Sequence, residues 1–196
     1  MGKKINPKNN LNSIKLSNEI DIEKYQKLVE EKNKKEIARF IYKRFSERYI
    51  APLENSPKKN GFCTMANCCL MIEALESFYN GWKDTKNRRD LAFCKFFDRV
   101  KEFWDFHGHS SEFYRNVRCG ILHQAETTGG WRIKRKGSLF SPDSLTINAT
   151  RFLGQLKKYL EGYRRDLENA DWNNKIWKNL RKKMDTIIYN CKREVT

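Results

Sequence analysis

The segment Phe62–Tyr79 limits the possible folds more than any other. Phe62, Met65, Ala66, Cys69, Leu70, Ile72, Leu75 and Phe78 recur at three- and four-residue spacing, the period of an α-helix. It is the most apolar helix of the chain, and a helix with so much apolar surface has to be enclosed by other elements. Gly81 is placed to end it, because glycine accepts the left-handed backbone of a helix C-terminus. The enclosing elements read as further helical stripes. One lies over 20–31, with Ile22, Tyr25, Leu28 and Val29. A second, capped by Asn33, carries Ile37, Phe40, Ile41, Phe45 and Tyr49 and is predicted to stop before Pro52. A third over 90–103 carries Leu91, Phe93, Cys94, Phe97, Val100 and Phe103. Ser110 or Ser111 is predicted to cap a fourth over 112–124. A fifth over 148–169 carries Phe152, Leu156, Leu160 and Tyr163. The last, with Asp171 as its cap, carries Trp172, Ile176, Leu180, Met184 and Ile188. Short connections predict antiparallel neighbours.

Residues 127–144 break the pattern. Gly129-Gly130 interrupts the chain, Trp131-Arg132-Ile133-Lys134 alternates apolar with basic, and Gly137-Ser138 can turn it. Leu139-Phe140 is therefore predicted to pair back as a small hairpin. The expectation is an all-α, antiparallel helical bundle with a small β-hairpin insert near 131–140. It forms a single domain over 19–196, preceded by a flexible basic arm over 1–18. That arm holds Lys3, Lys4, Lys8 and Lys15 and no acid.

Only 39% of the residues are hydrophobic, but 13% are aromatic, and aromatic rings fill a core with few residues. The net charge of +16 attracts polyanions, nucleic acid first among them. Cys63, Cys68, Cys69, Cys94, Cys119 and Cys191 contain no C-x-x-C pair, and they read as reduced, buried thiols of a cytoplasmic protein. No signal-like segment and no run long enough to span a bilayer is evident, so no membrane partner is expected. P-loop, dinucleotide and G-x-S-x-G motifs are missing, which argues against the common NTPases, dehydrogenases and hydrolases.

The stretch Phe113-Tyr-Arg-Asn-Val-Arg-Cys-Gly-Ile-Leu-His-Gln-Ala-Glu126 places more polar chemistry on one helix than packing requires. Asn116 and His123, seven apart, fall near one face of an ideal helix, with Val117 and Ile121 on the core side. Gly120 weakens the helix by about 1 kcal/mol relative to alanine and leaves room for a close approach. An imidazole with an ordinary pKa of about 6.5 suits proton transfer. A guanidinium can grip two phosphate oxygens and offset developing charge. Glu73 and Glu76 lie on the apolar helix, where a buried acid wants a cationic partner, and Arg118 is the obvious one. Arg132, Lys134, Arg135 and Lys136 beside Trp131 form the densest basic cluster, suited to hold a phosphodiester backbone and stack a base. His107-Gly108-His109 lacks further ligands at a convincing spacing for a metal. Cys119, beside Arg118, reads as a spectator thiol.

Arg118, followed after four residues by His123, resembles the arginine–histidine signature of the HEPN superfamily, the helical domains of many prokaryotic ribonucleases. The order of helices is similar too. The resemblance implies a metal-independent endoribonuclease without cofactor, leaving a cyclic phosphate. Its catalytic residues would be Arg118 and His123, at a site shared across a homodimer. Arg115, Asn116, Trp131, Arg132, Lys134, Arg135 and Lys136 would bind RNA, and Glu73 would be the supporting acid. It further implies a role in phage defence or as a toxin-like stress effector with an antitoxin partner. Many members carry Asn, Asp or His directly after the arginine, where this chain has Cys119. Some carry a tyrosine two places after the histidine, where it has Ala125. These departures keep a second reading open, a non-catalytic RNA-binding or protein-interaction domain with a degenerate motif.

Overall fold

The structure, a computed structural model, describes residues 11–193. The α-helices are α1 (Ile22–Glu30), α2 (Lys34–Phe45), α3 (Ala51–Glu54), α4 (Gly61–Asn80), α5 (Arg89–Arg99), α6 (Ser110–Glu112), α7 (Cys119–Gln124), α8 (Ala149–Asn169) and α9 (Lys175–Lys192). Strands β1 (Arg132–Lys134), β2 (Phe140–Ser141) and β3 (Thr146–Asn148) form one small sheet. The architecture is all-α with a small β insert.

Helix α4 is the axis. Met65, Cys68, Met71, Ile72 and Leu75 on it are fully buried, and α5, α8 and α9 pack around it while α2 packs on α8. The Asn60 side chain accepts hydrogen bonds from the Phe62 and Cys63 N–H groups at its start, and Gly81, at φ +65°, closes it. A second apolar centre is aromatic. Phe97 stacks on Phe106 at 5.0 Å, Phe106 on Phe140 at 4.5 Å and Phe113 on Phe152 at 5.7 Å, so ring packing joins the sheet to α5, to the turn over Phe113–Arg118 and to α8.

One polar network is sealed into this interior. Glu76 of α4 is fully buried and is ion-paired with Arg99. The Asn80 amide donates to its other oxygen at 3.0 Å. Arg99 also donates to the Tyr159 hydroxyl at 2.6 Å and lies 3.7 Å from the centre of the Tyr79 ring. Burial pushes the Glu76 carboxyl above its usual range, against the opposing pull of Arg99 and Asn80.

Several boundaries differ from the sequence expectation. The second helix does not stop before Pro52. A π-turn over Ser46–Ile50 leads into α3, with the Ala51 N–H bonded five residues back to the Ser46 carbonyl. Proline's missing donor falls in the first turn of α3, where it costs least. The third helix ends at Arg99, because Val100 is extended, and restarts as a 3-10 helix over Lys101–Phe106. That break lets both Phe103 and Phe106 turn inward. Helix α9 is capped by Asn174, whose side chain accepts from the Ile176 N–H, and not by Asp171. The hairpin is also different. β1 runs parallel to β3, with Ile133 opposite Ile147, and β2 pairs antiparallel to β3, with Phe140 opposite the same Ile147. The shared partner, Ile147, is fully buried, so core packing sets the pairing. The arm read over 1–18 falls partly outside the described residues. From Leu11 onward it is docked, since Leu16 is 1% exposed and its carbonyl accepts from both Arg44 and Arg48. Of the thiols, Cys68 and Cys69 are buried as expected, whereas Cys63 and Cys191 are exposed.

Candidate active site and nucleic-acid groove

Helix α6, a π-turn over Phe113–Arg118 and α7 form one unbroken helical segment from Ser110 to Gln124. The wide turn is closed by the Cys119 N–H, bonded five residues back to the Tyr114 carbonyl. His109 occupies the N-cap position without a side-chain cap, so neither Ser110 nor Ser111 serves there. Phe113, Val117 and Gly120 are buried, which anchors the helix on the aromatic centre.

Arg118 is turned toward α4. Its Nε donates to Glu73 Oε1 at 2.7 Å, with the two side chains 10% and 11% exposed. The Thr85 hydroxyl donates to the second Glu73 oxygen at 3.1 Å. The two acids of the apolar helix thus take different cations, Glu73 taking Arg118 and Glu76 taking Arg99. Burial opposes the charge on Arg118, but the Glu73 hydrogen bond and charge outweigh it and hold the guanidinium above its usual range. The Cys69 thiol beside this pair is pushed up by burial. The terminal nitrogens of Arg118 have no hydrogen-bond partner among the described residues.

His123 is exposed in the last turn of α7, with no hydrogen bond or ion pair among the described residues. It stands five positions after Arg118, about 140° around the helix axis and about 7.5 Å along it. Arg118 therefore faces the bundle and His123 faces solvent, so the two side chains leave the helix in different directions. Leu122, next to the imidazole, is 56% exposed, an uncovered apolar side chain at the candidate site.

Asn116 is tied to the following loop through its two oxygens. Its Oδ1 accepts from the Thr128 hydroxyl at 3.0 Å and its carbonyl from the Thr128 N–H at 2.9 Å. Gly129, at φ +61°, passes so close that a Cβ there would lie 2.7 Å from the Asn116 side chain. Gly120 admits backbone and not ligand, since a Cβ would lie 2.5 Å from the Glu126 carbonyl oxygen. Gly120→Ala is expected to destabilise the fold by about 1–3 kcal/mol through overpacking, read as a lower denaturant midpoint at unchanged slope. Arg115 remains exposed.

The basic cluster lines an open groove of about 860 Å³. Arg132, Lys134, Arg135 and Lys136 share its lining with Phe62 and Glu126. Trp131 does not offer its face for stacking as expected. It is 3% exposed, stacked on Phe140 at 5.2 Å and edge-on to Phe113, because a ring at the start of β1 closes the aromatic centre. Phe62, partly exposed at the start of α4, is the groove's available ring. Sequence reasoning missed Phe62, whose helical spacing reads as core, and Thr85, which no pattern marks. His107 lies 3.6 Å from Asp98 and His109 3.5 Å from Glu112. Among the described residues no group of three or more His, Cys, Asp or Glu side chains converges as a metal site would require, and no helix is long and apolar enough to cross a membrane. No family model, curated protein or solved structure matches the chain.

Proposed function

We propose that the protein is a metal-independent endoribonuclease of HEPN type, acting as a homodimer whose active site is completed by a second copy. The observation that carries this reading is the state of Arg118. Glu73 holds it by Nε alone, which fixes the guanidinium and leaves its two terminal nitrogens for a bidentate grip on phosphate. RNA brings its own nucleophile, the ribose 2′-hydroxyl. His123, exposed and uncommitted, takes that proton or protonates the departing 5′ oxygen. Arg118 offsets the charge that builds on the phosphorus oxygens as the new bond forms. Bond making and bond breaking balance within the RNA, giving a cyclic phosphate on one fragment and a hydroxyl on the other. The groove of Arg132, Lys134, Arg135 and Lys136 holds the flanking backbone, with Phe62 under a base. The divergence of Arg118 and His123 within one chain is met by a facing copy, and exposed Leu122 lies where that copy packs. A cytoplasmic setting, a part in phage defence and an antitoxin partner belong to this same reading through the family resemblance.

The divergence also favours a second reading, a basic module that binds RNA without cutting it. The two separate when purified protein is incubated with structured and single-stranded RNA in EDTA. Cleavage with 2′,3′-cyclic phosphate ends supports the enzyme, and retention of intact RNA supports the module. Reversing the groove with Arg132→Glu and Lys134→Glu is expected to weaken RNA binding at least tenfold at moderate salt, in a gel-shift titration, under either reading.

A further inference from the structure

Behind the Arg118–Glu73 pair lies a second cavity, of about 380 Å³, between α2, α4 and α9. Its apolar lining is Phe45, Leu70, Phe78 and Ile187, of which Phe45 and Phe78 are buried and Leu70 is half exposed. Arg44, Arg48 and Lys183 line it too. These cations are anchored only by backbone carbonyls. Arg44 and Arg48 share the carbonyl of Leu16, and Lys183 donates to that of Lys83 at 2.9 Å. None of them has an ion pair among the described residues. Glu73 and Asp84 are the carboxylates of the wall, and Glu73 is taken by Arg118. Positive charge is therefore in excess where solvent is partly excluded. Burial, and then repulsion from Arg48, lower the Arg44 guanidinium to about 10. Burial, with a smaller push from Arg44, lowers the Lys183 ammonium against the opposing charge of Asp84, which offsets one of the three cations and leaves the excess positive. An apolar concavity with a few convergent polar groups is the form of a small-molecule site, and an unpaired guanidinium held in partial burial is stabilised by an incoming anion.

We propose that this cavity binds a small organic anion, an apolar or aromatic body bearing a phosphate or carboxylate, with the anion on Arg44 and Arg48 and the body on Phe45 and Phe78. Binding does not depend on the nuclease reading. One consequence does rest on it. Glu73 stands in the cavity wall and also holds Arg118, so an occupant alters the cleavage rate.

The test is calorimetry on the full chain with 1-naphthyl phosphate, 1-naphthoate, inorganic phosphate and 1-naphthol. At least one of the two naphthyl anions is expected to bind with a dissociation constant of about 100 μM. Inorganic phosphate and naphthol, each with half of the recognition, bind at least tenfold more weakly. Comparing the two naphthyl anions tells phosphate from carboxylate as the natural group. Ala74→Phe fills the cavity without removing a cation and is expected to abolish binding. Arg48→Gln, which leaves Arg44 to hold Leu16, weakens it about tenfold. The proposal is overturned if neither naphthyl anion binds up to about 10 mM, if inorganic phosphate binds as well as the better of them, or if Ala74→Phe, folded by its melting curve, binds like the parent. RNA cleavage with and without the better anion is run alongside. No cleavage in any sample counts against the nuclease reading alone, because the calorimetry still reports the site.

Discussion

His123→Ala and Arg118→Ala are each expected to reduce RNA cleavage in EDTA by about a thousandfold, the usual scale for losing a general acid–base or a charge-stabilising donor. The two differ in their cost to the fold. His123 has no partner among the described residues, so its removal leaves the melting temperature unchanged. Arg118→Ala leaves Glu73, 11% exposed, with only the Thr85 hydroxyl as partner beside buried Cys69, and is expected to cost about 3–5 kcal/mol. Activity measured well below the melting point separates chemistry from unfolding. Mixing the two inactive variants sharpens the test. If each site takes arginine from one copy and histidine from the other, random exchange restores about a quarter of the parent rate, because half of the dimers are mixed and each mixed dimer has one intact site. Two single variants that retain full cleavage would falsify the proposed roles.

Arg99→Leu is expected to cost the fold about 3–5 kcal/mol, on the same scale as Arg118→Ala. It leaves Glu76 fully buried with only the Asn80 amide, and it removes the donor to Tyr159. The loss depends on pH in a direction fixed by the carboxyl. Burial raises the Glu76 pKa even with Arg99 present, and without the guanidinium that push is unopposed by an ion pair. A carboxyl whose folded pKa lies above its unfolded value stabilises the fold at low pH, and that contribution is lost as pH rises through the folded value. The variant is therefore expected to approach the parent near pH 5 and to fall furthest behind near pH 8, in paired urea titrations. A deficit that grows as the solution is acidified contradicts this account. Replacing the pair together, with Glu76→Leu and Arg99→Leu, is expected to recover much of the loss, since apolar groups need no partner.

The helical stripes were legible because a 3.6-residue period leaves the same faces apolar turn after turn, and α4, α8 and the caps at Asn33 and Gly81 follow from it directly. The breaks were not. Nothing local tells Val100 to leave the helix; the reward is distant, in the rings that Phe103 and Phe106 reach. β3 was hidden because Thr146-Ile147-Asn148 runs straight into α8, and its two partners lie on either side of a turn. Within the candidate site, Arg118 and an acid on α4 could be matched from burial chemistry alone. An aromatic beside basic residues reads the same whether its face is open or stacked, so the inward turn of Trp131 has no local signal. The tie from Asn116 to Thr128 has none either, because it reaches across a turn to a residue twelve positions on.

That wider turn over Phe113–Arg118 carries one backbone position more than an ordinary helix needs. Deleting a single amino acid there would let the ladder close in its common form, and because five residues of a wide turn sweep about the same angle as four of an ordinary one, everything beyond would keep its facing. The excess position is absorbed where it stands. A homologue lacking it would still press Gly120 on the backbone of 126–128 and turn His123 to solvent, with only the side chains of the bulge re-aimed.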